Sequence, residues 1–218
     1  MKIVQPSFEI LSPCALDAVT RKDALHAIAR AARTCYKSSG TDDATLVMQL
    51  VRNGHHAMLE HYSITVRFVV DRGVSHEIVR HRPASYAQES TRYCNYAADK
   101  FGGEIAVICP PGMEPGTAMH DYWRTACEIA EGTYLAFLRD GIPPEIARSV
   151  LPHALATTVV MTANLREWRH FLALRAVGTT GKPHPQIREV ALPLLQTVAD
   201  WLPEAFGDLR EEATKNDA

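Results

Sequence analysis

An alternating pattern set among amphipathic helices is the sequence feature that most limits how this chain can fold. From Tyr62 to Val70 apolar side chains stand at every second position, which predicts a strand with one face in a core. Helical spacing instead marks Leu25–Ala32, Leu46–Val51 and Tyr122–Phe137. A half-buried strand needs partner strands and a covering layer, and the helices can supply that layer. The pattern therefore predicts an α+β fold.

The rest of the chain follows the same two periodicities. Further strands are predicted at Ile3–Leu11 and Ala156–Ala163, and further helices at Val74–His81, from Pro143–Pro144 onward, from the cap Asn164 through Arg175, and over Ile187–Trp201. No repeat, low-complexity tract or linker interrupts them. We therefore predict a single domain over residues 1–206 and a frayed polar tail over 207–218.

Composition excludes a membrane protein and gives no sign of export. The longest uncharged apolar run, Ala154–Ala163, has 10 residues, well short of the roughly 20 that a membrane helix requires. Pro6, Glu9 and Pro13 interrupt the segment where a secretory signal would be continuous and apolar. We therefore expect no membrane partner and a cytoplasmic protein.

Charge and cysteine content narrow the class of ligand. The five cysteines are widely spaced and include no CxxC pair, which predicts reduced thiols. A formal net charge of -2 argues against a nucleic-acid partner. The cations are nevertheless mostly arginine, whose guanidinium suits bidentate recognition of phosphate or carboxylate. A small anionic ligand fits this balance best.

Two familiar kinds of site are not indicated by the motifs. Neither GxGxxG after a strand nor GxxxxGK[ST] occurs, so any nucleotide is bound in another way. His55, His56, Glu60 and His61 match neither HExxH nor HxxEH spacing. This favours a cluster of solvated histidines, and we predict no metal.

The segment Arg80–Tyr93, RHRPASYAQESTRY, is too polar for a core, and we predict it to be irregular. It carries three guanidiniums, an imidazole, hydroxyls and an amide. Arginines this close together repel one another unless an anion lies among them. From the residues alone, an anion site and a solvated basic loop both remain open.

The spacing within this segment resembles a known family. Arg80-His81-Arg82, seven residues and Ser90, then Arg92-Tyr93, match the RHRx7S signature of the flavin-dependent thymidylate synthases. Other landmarks that resemble that family follow in order over roughly residues 25 to 195. They are Gly54-His55, Glu60-His61, Glu145–Arg148, Asn164–Arg166, His170 and Leu174-Arg175.

The resemblance implies a fold, a reaction and a set of site residues. The fold is a central twisted sheet packed against helices, in a homotetramer with shared active sites. The reaction is reductive methylation of dUMP to dTMP, with bound FAD and with NADPH and 5,10-methylenetetrahydrofolate as co-substrates. The implied cofactor residues are His55, Arg80, His81, Arg82, Gln88, Asn164, Arg166 and His170. The implied substrate residues are Glu77, Arg80, Gln88, Glu89, Ser90, Arg92, Arg148 and Arg175.

Residue chemistry agrees with a catalytic role for Arg175. Methylation at C5 of uracil requires the electron density at that carbon to rise, and a permanent cation promotes this by stabilising the enolate-like charge on the ring. A cysteine nucleophile is dispensable if reduced flavin delivers hydride, so we interpret Cys94 as a small core thiol. Two alternatives stay open: a non-catalytic nucleotide-binding protein on the same fold, and an RNA-binding domain stacking bases on Tyr86, Tyr93 and Tyr96, which the net charge disfavours.

Overall fold

The computed structural model describes residues 1–216 and has the predicted α+β composition. The strands are β1 (Lys2–Ile3), β2 (Ser7–Ser12), β3 (Ser63–Asp71), β4 (Ala84–Gln88), β5 (Ala106–Val107) and β6 (Ala156–Asn164). The α-helices are α1 (Ala18–Tyr36), α2 (Asp43–Arg52), α3 (Arg72–Ile78), α4 (Ala118–Arg139), α5 (Pro144–Ala147), α6 (Leu165–Leu172), α7 (Pro185–Trp201) and α8 (Pro203–Asn216). A π-helical turn, Ala173–Val177, follows α6, and short 3-10 turns lie at His56–His61, Asp99–Phe101 and Arg148–Val150.

The strands form two sheets. The larger has the order β2-β3-β6-β4, so its two long strands are central. The smaller pairs β1 with β5 in parallel, with Lys2 opposite Ala106. No helix among residues 1–216 is both long and apolar enough to span a bilayer.

The chain forms two compact units. Unit 1 comprises Met1–Ser7, Phe68–Arg80 and Ala87–Val159, and unit 2 comprises Phe8–Arg67, His81–Tyr86 and Val160–Ala218. The core of unit 1 contains Tyr96, Ile105, Val107, Cys127, Tyr134, Ala147 and Leu155. In unit 2 the buried Trp168 of α6 donates its indole N–H to the Ile64 carbonyl at 3.1 Å, and Phe171 packs against the same indole.

The predicted helices and long strands are present, and two sequence expectations are corrected. The segment Arg80–Tyr93 is not wholly irregular, because β4 lies inside it at one edge of the larger sheet. The residues of β4 do not alternate between apolar and polar, because an edge strand with exposed Ser85 and Ala87 does not bury one whole face. The expected strand at Ile3–Leu11 is divided between β1 and β2.

The polar end of the chain is helical as far as Asn216. The predicted frayed tail over 207–218 is therefore corrected for residues 207–216, and residues 217–218 lie outside the described part of the chain. The predicted boundary at residue 206 falls inside α8, which buries Leu209 and Ala213. Arg169 of α6 explains why this helix is ordered. Its guanidinium is almost fully buried and makes two 2.7 Å bonds to the Asp208 carboxylate, with another to the Ala205 carbonyl. These bonds attach α8, despite its polar sequence, to α6 in the core of unit 2.

We predict that Asp208→Ala destabilises unit 2 by roughly 2 kcal/mol, because it leaves the buried Arg169 guanidinium without its ionic partner. Burial acts to raise the pKa of Asp208, but the hydrogen bonds and charge of Arg169 outweigh burial and lower that pKa. The stabilisation should therefore be present above the unfolded-state pKa of aspartate and disappear as pH falls through the lowered folded-state pKa.

Urea unfolding of wild type and variant at neutral and acidic pH measures this difference. Asp200→Ala is the control, since its ion pair with Arg210 is exposed and should contribute little. Equal losses of unfolding free energy in the two variants would contradict the prediction.

Candidate functional site

The residues that the sequence singles out fall into two groups, one in each unit. Unit 1 contains Glu77, Arg80, Gln88, Glu89, Ser90, Arg92 and Arg148. Unit 2 contains His55, His81, Arg82, Asn164, Arg166, His170 and Arg175. The arginine signature thus contributes to both groups, because His81 and Arg82 lie in unit 2 and Ser90 and Arg92 in unit 1.

A hydrogen-bonded chain of three side chains organises the site in unit 2. The Nδ1 atom of His81 lies 3.1 Å from Oε1 of Glu167, and Nε of Arg175 donates to Nε2 of His81 at 3.3 Å. His81 and Glu167 are both buried. Since a guanidinium only donates, Nε2 must carry the lone pair and Nδ1 the proton. Glu167 therefore selects the imidazole tautomer that can accept from Arg175.

Local backbone features place the members of this chain. Asn164 ends β6, and its side chain accepts from the Glu167 N–H at 3.0 Å, as predicted for an N-cap. Arg175 lies in the π-helical turn rather than in regular α-helix. Gly178 closes that turn with φ of +86°, and a Cβ there would lie 2.8 Å from Cδ of Pro183. Only glycine fits this position, so the end of the Arg175 turn is fixed sterically.

Burial governs the electrostatics around His81. Burial raises the pKa of Glu167, against the lowering effect of His170 and Arg166. Burial, together with the nearby Glu167 charge, also raises the pKa of Tyr86 to about 12. Tyr86 therefore stays protonated at neutral pH and donates to the His81 carbonyl at 2.5 Å. Backbone and ring of His81 are both held.

A cavity of about 670 Å³ opens beside these groups in unit 2. Its walls combine two cations, two carboxylates, two imidazoles and an amide. They include His56, Glu60, Asn164, Arg166, Glu167, Arg169 and His170. Arg166 reaches the Glu60 carboxylate at 2.6 Å and holds it beside the opening. This mixed set of donors and acceptors suits a large polar ligand with both neutral and anionic parts.

The structure separates His55 from the predicted neighbours in that cavity. His56 lines the cavity with Asn164 and His170, whereas His55 lines a mainly apolar groove with Leu46, Leu50, Met58 and residues of α1. The missed contributors to the cavity are His56, Glu60, Glu167 and Arg169. A buried acid paired with a histidine 86 residues away has no local sequence signal.

In unit 1 the two arginines expected to bind phosphate meet at Glu145. Arg92 forms a 3.0 Å ion pair with the Glu145 carboxylate, and Nε of Arg148 donates to the Glu145 carbonyl at 3.2 Å. Arg148 also donates to the Thr91 hydroxyl at 3.3 Å. Residues 53 positions apart in sequence are therefore adjacent. Both arginines remain largely exposed and accessible to a ligand.

Unit 1 has a cavity of its own, of about 260 Å³. It is lined by the cationic or titratable side chains of Arg72, His76, Arg148 and His153. Thr91 and Ser149 add hydroxyl groups, and the described lining contains no carboxylate. Such a surface favours an anion with several acceptor oxygens. Arg72, His76 and His153 were not predicted. They lie outside the signature, and only the fold brings them to Arg148.

The remaining signature residues of unit 1 make structural contacts. The Gln88 amide donates to the Ser75 hydroxyl at 2.9 Å, Glu89 accepts from the Tyr96 hydroxyl at 2.7 Å, and the Ser90 hydroxyl accepts from the Arg92 N–H at 3.3 Å. These bonds hold the turn that presents Arg92. Glu77 lies in α3, and Arg80 is exposed just beyond that helix.

One group of described residues has the atoms to ligate a metal: His81, Glu167 and His170, with donor atoms within 4.8 Å of one another. It is not the histidine cluster at residues 55–61. Both ring nitrogens of His81 are already hydrogen-bonded, and the Arg175 cation faces Nε2. This geometry favours a hydrogen-bonded relay over a metal centre.

Known proteins match this chain over most of its length. The family model for "Thymidylate synthase complementing protein" matches residues 17–204. The flavin-dependent thymidylate synthase of Geobacter sulfurreducens is 34% identical over 193 residues, which are 84% of this chain and 80% of the relative. The enzyme of that name from Mycobacterium tuberculosis strain H37Rv is 32% identical over 200 residues, 82% of this chain and 76% of the relative.

A solved structure shares the fold. The UMP/dUMP methylase PolB from Streptomyces cacaoi superposes with a TM-score of 0.78 at 24% identity, covering 98% of this chain and 97% of that one. The match of the family model over most of the chain, together with relatives above 30% identity, establishes the family. This chain belongs to the flavin-dependent thymidylate synthase family.

Proposed function

We propose that this protein catalyses the reductive methylation of dUMP to dTMP, with 5,10-methylenetetrahydrofolate as carbon donor and NADPH as reductant of bound FAD. The observation that carries this proposal is the hydrogen-bonded chain Glu167–His81–Arg175, in which a buried carboxylate and imidazole orient a permanent cation. The carboxylate-free cationic cavity of unit 1 supplies a site for a nucleotide phosphate.

The phosphate of dUMP is assigned to Arg92 and Arg148, with Ser90 as a further donor. Arg148 lines the cavity of unit 1 together with Arg72, and both guanidiniums can form charge-assisted bonds to phosphate oxygens. The Glu145 carboxylate keeps Arg92 close by. Glu77, Arg80, Gln88 and Glu89 complete the substrate set that the family resemblance implies.

The cavity of unit 2 fits part of a bound flavin. Asn164 and His170 offer polar contacts to a ring edge or ribityl chain, and Arg166 offers charge to a phosphate. Arg80, His81, Arg82 and Gln88 are assigned to the same cofactor by the resemblance, as is His55 in its neighbouring groove. When bound, FAD supplies the hydride for reduction. The protein binds and orients the reactants.

Arg175 is assigned to the uracil ring. Its guanidinium cannot lose its proton at neutral pH, so it can stabilise the enolate-like negative charge on the ring that makes C5 nucleophilic. Glu167 is a positioning residue, because it acts on Arg175 only through the tautomer of His81. The buried pair of Glu167 and His81 holds the Arg175 guanidinium in one orientation, so less conformational entropy is lost in reaching the transition state.

A cysteine nucleophile is not part of the proposal. Burial, with a further effect from Glu89, raises the pKa of Cys94, so the thiol beside the signature is held in its protonated form. Cys127 is buried in the core of unit 1, where burial raises its pKa as well. Both thiols are interpreted as packing groups.

We further propose a cytoplasmic homotetramer in which each subunit acts as one catalytic domain. All five cysteines are free, which suits a reducing compartment. The family match over residues 17–204 supports one functional unit of about that length.

The function predicts that purified protein binds FAD and forms dTMP from dUMP only with methylenetetrahydrofolate and NADPH present. Flavin absorbance and chromatographic detection of dTMP measure the two properties separately. A folded protein that binds dUMP yet neither binds flavin nor forms dTMP would instead be the non-catalytic nucleotide-binding alternative.

Arg175→Ala should lower the rate of dTMP formation by about 100-fold, because it removes a contact that strengthens as the ring gains charge. Flavin content should change less than the rate. Cys94→Ala is the matched control and should stay within about threefold of wild type, since no thiolate is used. A dead but folded and yellow Cys94→Ala variant would point to a covalent intermediate.

Glu167→Leu should shift the His81 ring toward the Nε2-protonated tautomer and lower turnover by about tenfold, because the carboxylate that orients the imidazole is lost. The ¹⁵N chemical shifts of the His81 ring, identified by comparison with His81→Gln, report the tautomer without any assay of activity. Glu60→Leu, which removes an exposed carboxylate from the same cavity, should leave the ring unchanged. Persistence of the Nδ1-protonated ring in Glu167→Leu would contradict the role of Glu167.

A further inference from the structure

The cavity of unit 1 holds more groups that can bind phosphate than one phosphate needs. The phosphate of dUMP carries about two negative charges at neutral pH, and the proposed function assigns it to Arg92 and Arg148, with Arg72 alongside. His76 and His153 line the same cavity, and its described lining contains no carboxylate. The two imidazoles therefore have no role in the function proposed so far.

The two histidines are neighbours and are accessible to a ligand. Their rings meet edge to face with centroids 6.0 Å apart, and both side chains are exposed. Within residues 1–216 the histidines that pair with carboxylates are His26, His81 and His120, and neither cavity histidine is among them. An imidazole donates one N–H and an imidazolium donates two. This pair can therefore donate to a ligand in the cavity.

Backbone and side-chain contacts hold both histidines beside Arg72. Arg72 and His76 are four positions apart in α3, so they lie on one face of that helix. The Arg72 N–H donates to the His153 carbonyl at 3.0 Å. The Arg72 guanidinium lies 3.5 Å from the Glu89 carbonyl, which places it beside the signature. The donors therefore continue from the signature, through Arg72, to the histidine pair.

The Asp71 carboxylate approaches His153 but does not line the cavity. A Cβ on Gly73 would lie 3.3 Å from Oδ1 of Asp71 and 3.8 Å from Nδ1 of His153. Asp71 is buried, and the same Oδ1 accepts from the Val74 N–H at 2.6 Å as the cap of α3. The surface that faces a ligand therefore keeps its positive character.

The size of the cavity also exceeds one phosphoryl group. At about 30 Å³ for each water, its volume of about 260 Å³ corresponds to roughly eight waters. One phosphorus atom with its terminal oxygens fills only part of that space. Two linked phosphoryl groups fill more of it, and they offer more acceptor oxygens to the donors on the wall.

We propose that this cavity binds the second phosphoryl group of a pyrimidine deoxynucleoside diphosphate, with His76 and His153 as its ligands. The inference rests on the proposed function, because that function places the first phosphate at Arg92 and Arg148. A diphosphate such as dUDP keeps the uracil and the first phosphate in place and adds oxygens that dUMP lacks. It therefore competes with dUMP and gains its additional contacts at the histidine pair.

Isothermal titration calorimetry of the FAD-loaded, full-length protein with dUMP, dUDP and deoxyuridine tests this subsite. Wild type should bind dUDP about tenfold more tightly than dUMP, and deoxyuridine most weakly, because each phosphoryl group adds charge-assisted hydrogen bonds. Saturation with dUDP should prevent the binding of dUMP. Chromatography of the recovered ligand verifies that dUDP has not been hydrolysed.

Variants of the two histidines locate the second phosphoryl group. His76→Gln and His153→Gln should each weaken dUDP binding about tenfold and leave dUMP binding within about twofold of wild type. His153→Arg should retain the preference for dUDP, because it restores a cation at that position. His26→Gln is the matched control, since His26 is exposed on α1 and is absent from the described lining. The unchanged binding of dUMP shows that each variant is folded.

Two results would overturn the inference. One is binding of dUDP no tighter than that of dUMP in wild type. The other is an equal loss of dUMP and dUDP affinity in the histidine variants, which would place both imidazoles on the first phosphate. Formation of dTMP is measured on the same samples. Normal dTMP formation without a preference for dUDP would mean that this inference alone fails, whereas a preference that the variants abolish, without dTMP formation, would mean that the proposed function alone fails.

Discussion

The site in unit 2 depends on one constraint: the buried carboxyl group of Glu167 must receive hydrogen bonds from the protein in place of water. Glu167 lies in the first turn of α6, where the Asn164 side chain caps its backbone N–H. Its carboxylate is buried away from water, so it needs a hydrogen-bond donor from the protein. The Nδ1–H group of His81 provides that donor. That bond leaves Nε2 free of a proton and able to accept from Arg175. The position of one acid therefore determines the tautomer of the imidazole and the direction of a guanidinium.

The proposed anion site in unit 1 is arranged differently, because its cations remain accessible. The formal net charge of the chain is only -2, yet the cavity of Arg72, His76, Arg148 and His153 has no carboxylate in its described lining. Local charge therefore departs strongly from the average. Glu145 pairs with Arg92 just outside that lining and keeps one arginine ordered without neutralising the cavity. A small cationic cavity of this kind suits the proposed phosphate ligand, whereas a polyanion needs an extended basic face.

Sequence periodicity predicted the elements whose burial follows one face of a helix or strand. Strand β3 and helices α1, α2, α4 and α7 were predictable because their apolar spacing is a direct consequence of packing against a core. Strand β4 was missed because it lies at the sheet edge and carries polar side chains. The order of α8 was missed because it depends on Arg169, which is distant in sequence and whose buried guanidinium pairs with Asp208.

The amino-acid sequence by itself determined the α+β class, the cap at Asn164 and the family, since these depend on local periodicity and on a short motif with fixed spacing. Only the tertiary structure decided which residues act together. It joined His81 to Glu167 and Arg175, brought Arg72 and His153 beside Arg148, and placed His56 rather than His55 in the cavity of unit 2. The physical reason is that burial and hydrogen-bond partnership are set by neighbours in space. Residues that meet across 53 or 86 positions leave no spacing pattern along the chain.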